Sequence, residues 1–178
     1  MTMIIAIIGN EGDGKSLLLT VFSLLYKKHD YKILSNMDKL KIRDFDITHI
    51  PTIIKERDFV KNKYMFALDE AYQYIDAREA MTKKNRETSY FLFQLRKLGI
   101  NLFYTAQFYY SVDLRLRRIT NIILKPKYDK KSRQMVVEIF NGDEFKVGSF
   151  EMIIDERVYN FYDTFEFVNG KDLLWIIM

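Results

Sequence analysis

The chain contains no cysteine and only two histidines, His29 and His49. Disulfide bonds, thiolate zinc sites and cysteine nucleophiles are therefore excluded, and two isolated histidines do not predict a histidine metal cluster. Long apolar runs are also missing, since the most apolar stretch, residues 17–26, is too short to span a bilayer and follows a glycine-rich loop. With 48% hydrophobic residues, seven glycines and two prolines, the composition predicts a soluble, unexported protein with a core of its own.

Basic side chains are concentrated in one stretch of the chain. The formal net charge is +4, but residues 82–133 hold 13 lysines and arginines against 3 acidic residues, which leaves the rest of the chain negative. Aromatic residues such as Tyr90, Tyr104 and Tyr110 are interleaved with these charges. The stretch predicts a basic face that could meet a polyanion such as nucleic acid, and a solvated surface is the alternative that the charge pattern leaves open.

Apolar runs and helical spacing alternate along the first part of the chain. The patterns predict strands at residues 3–8, 31–35, 64–68 and 100–106, and helices at 16–28 and 87–98. Residues 36–63 have broken periodicity and predict loops with a short helix or strand. Strand-like runs follow at 121–127, 134–140 and 144–150, and Asn141-Gly142 predicts a tight hairpin between the last two.

The most specific motif is Gly9-Asn10-Glu11-Gly12-Asp13-Gly14-Lys15-Ser16, which fits the Walker A pattern and lies between a predicted strand and a predicted helix. Such a loop turns backbone N–H groups and a helix N-terminus toward phosphate oxygens. Lys15 is expected to neutralise the β- and γ-phosphates of ATP, and the Ser16 hydroxyl to bind Mg2+. The residues expected to contact the nucleotide are Gly9, Asn10, Glu11, Gly12, Asp13, Gly14, Lys15, Ser16 and Leu17.

A second motif is the apolar run 64–68 that ends in Asp69-Glu70, as in a Walker B segment. We expect Asp69 to hold magnesium together with Ser16. Glu70 is expected to orient and deprotonate the attacking water. Acidic pairs are also common in the first turn of a helix, so this pair predicts a Walker B segment mainly because a Walker A motif is present in the same chain.

Together the two motifs predict an α/β protein with a P-loop NTPase core of the ASCE/RecA-like class. We expect three layers, a mainly parallel sheet and a C-terminal β-rich extension. The chain is interpreted as one domain, 1–178, in which 1–120 form the nucleotide-binding core and 121–178 the extension.

Two further segments carry a resemblance to a known family: Asp69-Glu70-Ala71 leading to Arg78, and Arg96-Lys97-Leu98-Gly99 leading to Thr105-Ala106-Gln107. They resemble the HerA/FtsK superfamily of P-loop ATPases, which includes viral genome-packaging ATPases and the Zot-type (zonula occludens toxin domain) assembly ATPases of filamentous phages. The resemblance implies that Gln107 senses the γ-phosphate and that Arg96 enters the site of a neighbouring subunit. The arginines at positions 78, 115, 117 and 118 compete for that role.

The resemblance also implies partners and a location. It implies a homo-oligomeric ring with shared active sites that acts on DNA, works with a viral capsid or coat protein, and resides in the host cytoplasm or with the virion. The Zot-like branch resembles the chain from residue 1 to about 163, but Zot-type proteins often carry a transmembrane segment after the ATPase domain. No such segment is found in this sequence, so a membrane-free packaging ATPase fits at least as well.

Three functions remain open at this point. The first is a magnesium-dependent ATPase that moves or packages viral DNA. The second is a Zot-like ATPase that drives phage assembly or extrusion without acting on DNA. The third is a P-loop nucleotide kinase in which the arginines of 115–118 form a phosphate-clamping lid.

Overall fold

The structure is a computed structural model that describes residues 2–56, 58–74, 94–95 and 97–162. Most of the helix predicted at 87–98 lies outside these residues, as do Arg78 and Arg96 and everything beyond residue 162. The fold is therefore described for the remaining parts of the chain.

Eight strands form one sheet in the order β3-β2-β4-β5-β1-β6-β7-β8. Their bounds are β1 Ile4–Ile8, β2 Tyr31–Ser35, β3 Phe45–Asp46, β4 Lys63–Leu68, β5 Asn101–Ala106, β6 Ile122–Asp129, β7 Gln134–Asn141 and β8 Lys146–Ile153. The first six strands in this order are parallel, whereas β7 and β8 add to β6 as an antiparallel meander. The predicted α/β class with a mainly parallel sheet and a β-rich carboxyl end is confirmed.

Three α-helices are described over their whole length: α1 Lys15–Lys28, α2 Ile50–Lys55 and α3 Leu114–Ile119. Residues 94, 95 and 97 are also helical. Short 3-10 helices lie at Ile47–His49, Asp58–Val60, Ala71–Gln73, Tyr109–Ser111 and Glu156–Phe161. In α1 the hydroxyls of Thr20 and Ser23 donate to backbone carbonyls one turn earlier, at 2.9 and 2.8 Å. These bonds let two polar side chains lie on the buried face of the helix.

Apolar side chains cover both faces of the sheet. Residues of β1 alternate, so that Ile4 and Ile8 belong to one buried cluster and Ile7 to the other. The first cluster contains α2 and α3 residues, and the second contains the buried leucines of α1. Helices therefore pack on both faces, which explains why the central strands read as continuous apolar runs.

The carboxyl ends of the parallel strands meet at one edge of the sheet. β1 is followed there by the glycine-rich loop, β4 by Asp69-Glu70 and β5 by Gln107. Because β6 runs parallel to β1, the β6–β7 turn at 130–133 lies at the same edge. This arrangement brings the sequence motifs together in space.

The predictions for residues 36–63 and for the Asn141-Gly142 hairpin have different outcomes. Residues 36–63 do contain a short strand and a short helix, β3 and α2. The β7–β8 hairpin exists, but the tight turn predicted at Asn141-Gly142 is wrong, because the connection spans residues 142–145 and Glu144 takes the positive φ of 65°. The Asn141 side chain accepts N–H bonds within this loop, and a Cβ on Gly142 would lie 2.4 Å from the Thr120 carbonyl oxygen.

Candidate active site

The loop between β1 and α1 has the backbone of an anion-binding turn. Gly12 and Gly14 have φ angles of 84° and 88°, which L side chains rarely adopt. The Asp13 carboxylate accepts the N–H of Asn10 at 2.6 Å and so folds back on the loop itself. The loop is thus fixed by its own side chain.

The N-terminus of α1 has no side-chain cap and no acidic residue in its first turn. Gly14 occupies the capping position, and its carbonyl accepts the N–H of Leu18 at 2.9 Å. The first amides of the helix therefore remain directed at the loop, where the helix dipole favours a negatively charged group such as phosphate.

Lys15 is the cation of this loop. Its Nζ donates to the Asn10 carbonyl at 2.8 Å. Burial lowers the pKa of Lys15, and the nearby carboxylates, Asp69 first among them, act in the opposite direction. An ammonium group that is partly desolvated interacts more strongly with an incoming anion than one in bulk water.

Asp69 follows β4 and lies directly against the start of α1. The Ser16 hydroxyl donates to its carboxylate, with Oγ 3.1 and 3.0 Å from the two oxygens, and the Thr105 hydroxyl donates to Oδ1 at 2.5 Å. Burial raises the pKa of Asp69, and the bonds from Thr105 and Ser16 act against that shift. A hydroxyl and a carboxylate in contact offer hard oxygen ligands, which fit magnesium.

The backbone of Asp69 is held by Asn36, which follows β2. The Asn36 amide accepts the Asp69 N–H at 2.8 Å and donates to the Asp69 carbonyl at 2.9 Å. Its Nδ2 also donates to the Tyr74 hydroxyl at 3.2 Å. Because Asn36 is itself buried, its hydrogen bonds position Asp69, and Asn36 does not contact a ligand directly.

Glu70 adopts a left-handed backbone with φ 51°. Its N–H donates to the Thr105 hydroxyl at 2.8 Å, and its side chain accepts from the Gln73 amide. Burial raises the pKa of Glu70, and the neighbouring Asp69 raises it further. Glu70 thus combines an unfavourable backbone conformation with hydrogen bonds to both its backbone N–H and its carboxylate, and such a combination is typical of an active-site residue.

A cavity of about 720 Å³ joins these groups. The predicted residues that line it are Glu11, Gly12, Gly14, Lys15, Ser16, Leu17, Asp69, Glu70 and Gln107. Gly9, Asn10 and Asp13 belong to the loop but are not among the lining residues. The cavity lining comes from six chain segments, 11–17, 37, 69–70, 105–107, 128–133 and 156–162, of which three were expected from the sequence.

The arginines predicted as partners of the site have different positions. Arg96 and Arg78 lie outside the described residues. Arg115 pairs with Asp113, Arg117 stacks on Tyr110 with 4.8 Å to the ring centroid, and Arg118 is exposed. None of these three lines the cavity within the described part of the chain.

Sequence reasoning assigned no role to the residues that hold the site or to those that form its far wall. Asn36 and Thr105 follow or end parallel strands, and polar residues at such positions were the signal that could have found them. The far wall comprises Tyr128, Lys130, Arg133, Glu156, Tyr159 and Tyr162. The first three come from the end of β6 and its turn, and the last three from the 3-10 helix after β8 and the residue that follows it, so only the tertiary structure brings them to the loop.

Sheet order, glycine-rich loop and acidic pair together define a P-loop NTPase fold. Neither the comparison with protein-family models nor the search of curated proteins found a match to the sequence. Solved structures do match: the N-terminal domain of zonular occludens toxin from Neisseria meningitidis aligns with a TM-score of 0.64 at 20% identity, over 92% of this chain and 100% of that chain.

Two other solved structures share the fold. The genome packaging NTPase B204 from Sulfolobus turreted icosahedral virus 2, in complex with AMPPCP, aligns with a TM-score of 0.60 at 14% identity, over 82% of this chain and 96% of that chain. The flagellar accessory protein FlaH from Methanocaldococcus jannaschii aligns with a TM-score of 0.53 at 12% identity, over 86% and 85%. The likeness inferred from the sequence to Zot-type and packaging ATPases is therefore confirmed at the level of fold.

No helix among the described residues is long and apolar enough to cross a membrane.

Proposed function

We propose that this protein is a magnesium-dependent ATPase that drives nucleic-acid translocation, with viral DNA packaging as its process. The observation that carries the proposal is the contact between the Ser16 hydroxyl and the buried Asp69 carboxylate, with Glu70 next in sequence and Lys15 in the same cavity. This is the set of groups that phosphoryl transfer to water requires.

The phosphates of ATP are held by the loop and by Lys15. Backbone N–H groups of the loop and the uncapped N-terminus of α1 supply donors, and the Lys15 ammonium supplies positive charge where the γ-phosphate develops negative charge. Ser16 and Asp69 fit a magnesium ion, which when bound neutralises phosphate charge. Ser16 and Asp69 would hold that ion through their side-chain oxygens.

Glu70 is the general base. Its raised pKa makes it a better proton acceptor than an ordinary glutamate, so a carboxylate oxygen can take a proton from water as the water oxygen attacks the γ-phosphorus. The bond between the γ-phosphorus and the β–γ bridging oxygen breaks, and ADP leaves with the electron pair. The Gln73 amide and the Thr105 hydroxyl hold the side chain and backbone of Glu70 in place. Gln107 lies on the same cavity and is exposed, so it can contact the γ-phosphate.

Active sites in a ring would be shared between subunits. An arginine from a neighbour, Arg96 by resemblance, would stabilise charge in the transition state and couple hydrolysis to the interface. Arg118 is the exposed alternative on the described surface.

DNA would contact residues of the basic stretch that do not line the nucleotide cavity. Phe108 and Tyr110, one and three residues after Gln107, are both 64% exposed. Arg117 stacks on Tyr110, and Lys125 and Lys127 are exposed on β6. Such groups favour contacts to phosphates and stacking, so we expect binding that weakens steeply with salt and has little sequence preference.

A second candidate is an assembly ATPase that acts on phage coat protein rather than on DNA. The alignment with the zonular occludens toxin domain, which covers all of that domain, favours it. The kinase alternative has less support, because the arginines of its supposed lid do not line the cavity within the described residues.

ATP hydrolysis with and without duplex DNA tests the proposal. Purified wild-type protein is assayed with magnesium at low and moderate salt, beside Glu70→Gln and the control Glu56→Gln, which changes an exposed glutamate at the end of α2. We expect DNA to stimulate hydrolysis, salt to remove the stimulation, and Glu70→Gln to lower the rate about 100-fold or more while the control matches wild type.

Two results would redirect the interpretation. Hydrolysis that is indifferent to DNA at every salt concentration would favour the assembly ATPase. Full activity of Glu70→Gln would show that another group activates the water.

A further inference from the structure

We propose that the β6–β7 turn and the 3-10 helix at 156–161 form a subsite for the nucleoside half of the bound nucleotide, with Tyr128 and Tyr159 packing against the base. This inference rests on the proposed function, because it assumes that the triphosphate occupies the loop. It adds a recognition surface that lies wholly in the meander and the segment after it.

The topology dictates on which side of the loop the nucleoside must lie. β5 and then β4 lie on one side of β1 and carry Gln107, Asp69 and Glu70, and β6 lies on the other side. The terminal phosphate must reach the acidic pair for hydrolysis. The opposite end of the nucleotide therefore points toward β6 and its turn.

Tyr128 brings that turn into direct contact with the loop. A Cβ on Gly14 would lie 2.8 Å from the Tyr128 Cβ and 2.9 Å from the Met135 Cε, so the glycine leaves just enough room for the hairpin. Tyr128 also lines the cavity. The wall of the subsite is thus packed against the phosphate loop and not merely near it.

The segment 156–162 crosses from the hairpin to the loop after β2. At one end Glu156 pairs with Arg133 at 2.5 Å, and at the other the Phe161 carbonyl accepts the N–H of Lys41 at 2.9 Å. Between these anchors the Tyr159 hydroxyl contacts the Tyr128 hydroxyl. This contact therefore connects the end of β6 with the 3-10 helix at 156–161 next to the first turn of α1.

The chemistry of this wall suits a base better than a phosphate. Tyr128 and Tyr159 are half-buried and line the cavity, so they present ring surface to it. Burial raises the pKa of Tyr159 to about 12, so the ring stays uncharged at neutral pH. Stacking on an aromatic ring is sequence-tolerant, because every base has a π-face.

The two tyrosine hydroxyls contact each other, which uses one O–H donor of the pair, and we assign the ring faces rather than the hydroxyls to the base. Selection then depends on stacked area, which is larger for a purine than for a pyrimidine. We therefore expect the subsite to accept adenine and guanine alike and to favour both over cytosine.

Two cations stand at the rim of the subsite. Lys130 is exposed and lines the cavity, and it has no ion-pair partner within the described ranges. Arg133 has a φ of 57° and lines the cavity while paired with Glu156. Both can attract the α-phosphate as the nucleoside enters.

Isothermal titration calorimetry with magnesium tests the subsite, using ADP, GDP, CDP and pyrophosphate as probes. We expect ADP and GDP to bind wild type within about threefold of each other, and pyrophosphate at least about tenfold more weakly. Tyr159→Ala should weaken ADP about tenfold and leave pyrophosphate unchanged. Tyr159→Phe, which keeps the ring, should bind ADP within about twofold of wild type. The control Phe145→Ala, which removes an exposed aromatic ring outside the cavity, should do the same.

The outcomes separate this inference from the proposed function. Equal binding of ADP and pyrophosphate by wild type, or equal weakening of both by Tyr159→Ala, would overturn the subsite and leave the phosphate site standing. An ADP affinity unchanged in Tyr159→Ala would also overturn it. Failure of wild type to bind either probe would refute the proposed function and the subsite with it.

Discussion

Replacement of Gly14 by alanine tests the packing between the phosphate loop and the C-terminal meander. Gly14 has a φ of 88°, and its new Cβ would meet the Tyr128 Cβ at 2.8 Å and the Met135 Cε at 2.9 Å. The Met135 methyl is the end of a flexible side chain and can move. The Tyr128 Cβ is attached to the backbone of β6, so relief requires a shift of the strand.

The loss of stability is the sum of two effects. A left-handed backbone costs an alanine about 1–2 kcal/mol. Overpacking adds about 1–3 kcal/mol, because the contacts lie well below an ordinary carbon–carbon separation. Gly14→Ala should therefore lower the free energy of unfolding by about 2–5 kcal/mol.

Gly12→Ala is the matched control. Gly12 lies in the same loop with nearly the same φ, 84°, but a Cβ there would meet nothing within 4 Å. It should lose only the backbone contribution, about 1–2 kcal/mol. The difference between the two variants isolates the contact with the hairpin.

Urea unfolding followed by circular dichroism, without nucleotide, measures this difference. With a slope of about 2 kcal/mol per molar urea, the midpoint should fall by about 1–2.5 M for Gly14→Ala and by about 0.5–1 M for Gly12→Ala. Equal losses in the two variants would refute the packing of Tyr128 on the loop and would remove the geometric basis of the nucleoside subsite.

Three further predictions concern the acidic pair and its support. Asp69→Asn should raise the midpoint of urea unfolding at pH 7. Burial raises the pKa of the Asp69 carboxyl in the native state above its value in the unfolded state, so the native state loses stability as the pH rises from the unfolded to the native pKa. A lower midpoint for the variant would contradict this. The rate of ATP hydrolysis should fall on acidification, and the pH at half the maximal rate should lie above the ordinary glutamate range, since the pKa of Glu70 is raised. If the residual rate of Glu70→Gln falls over the same pH range, Glu70 is not the general base. Asn36→Ala should cost about 2–4 kcal/mol in urea unfolding, because the buried N–H and carbonyl of Asp69 lose their partners, and a loss below about 1 kcal/mol would show that water replaces the amide.

Local signals accounted for the parts of the site that lie within single segments. The glycine-rich loop specifies its own backbone, because Gly12 and Gly14 permit positive φ angles that other residues avoid. The apolar run before Asp69 specifies a buried strand, and the parallel sheet then delivers the carboxylates to the loop. Gln107 was assigned by resemblance alone, and the structure places it directly after β5 in the lining of the cavity.

Local signals failed where a contact joined distant segments. The Asn141-Gly142 dipeptide favours a two-residue turn, but the approach of Gly142 to the Thr120 carbonyl and the Asn141 side-chain bonds give a longer loop. Asn36 is a polar residue after a strand, and its hold on Asp69 depends on β2 and β4 being neighbours.

The sequence by itself therefore determined the phosphate loop, the acidic pair and the alternation of strands and helices, because glycine conformation and apolar periodicity act over a few residues. Only the tertiary structure decided which groups face one another across the cavity. Tyr128 and Tyr159 are 31 positions apart, and they meet at the loop because β6 pairs with β1 and the chain returns over α1 after β8. Such contacts follow from sheet order and packing, which no short stretch of residues encodes.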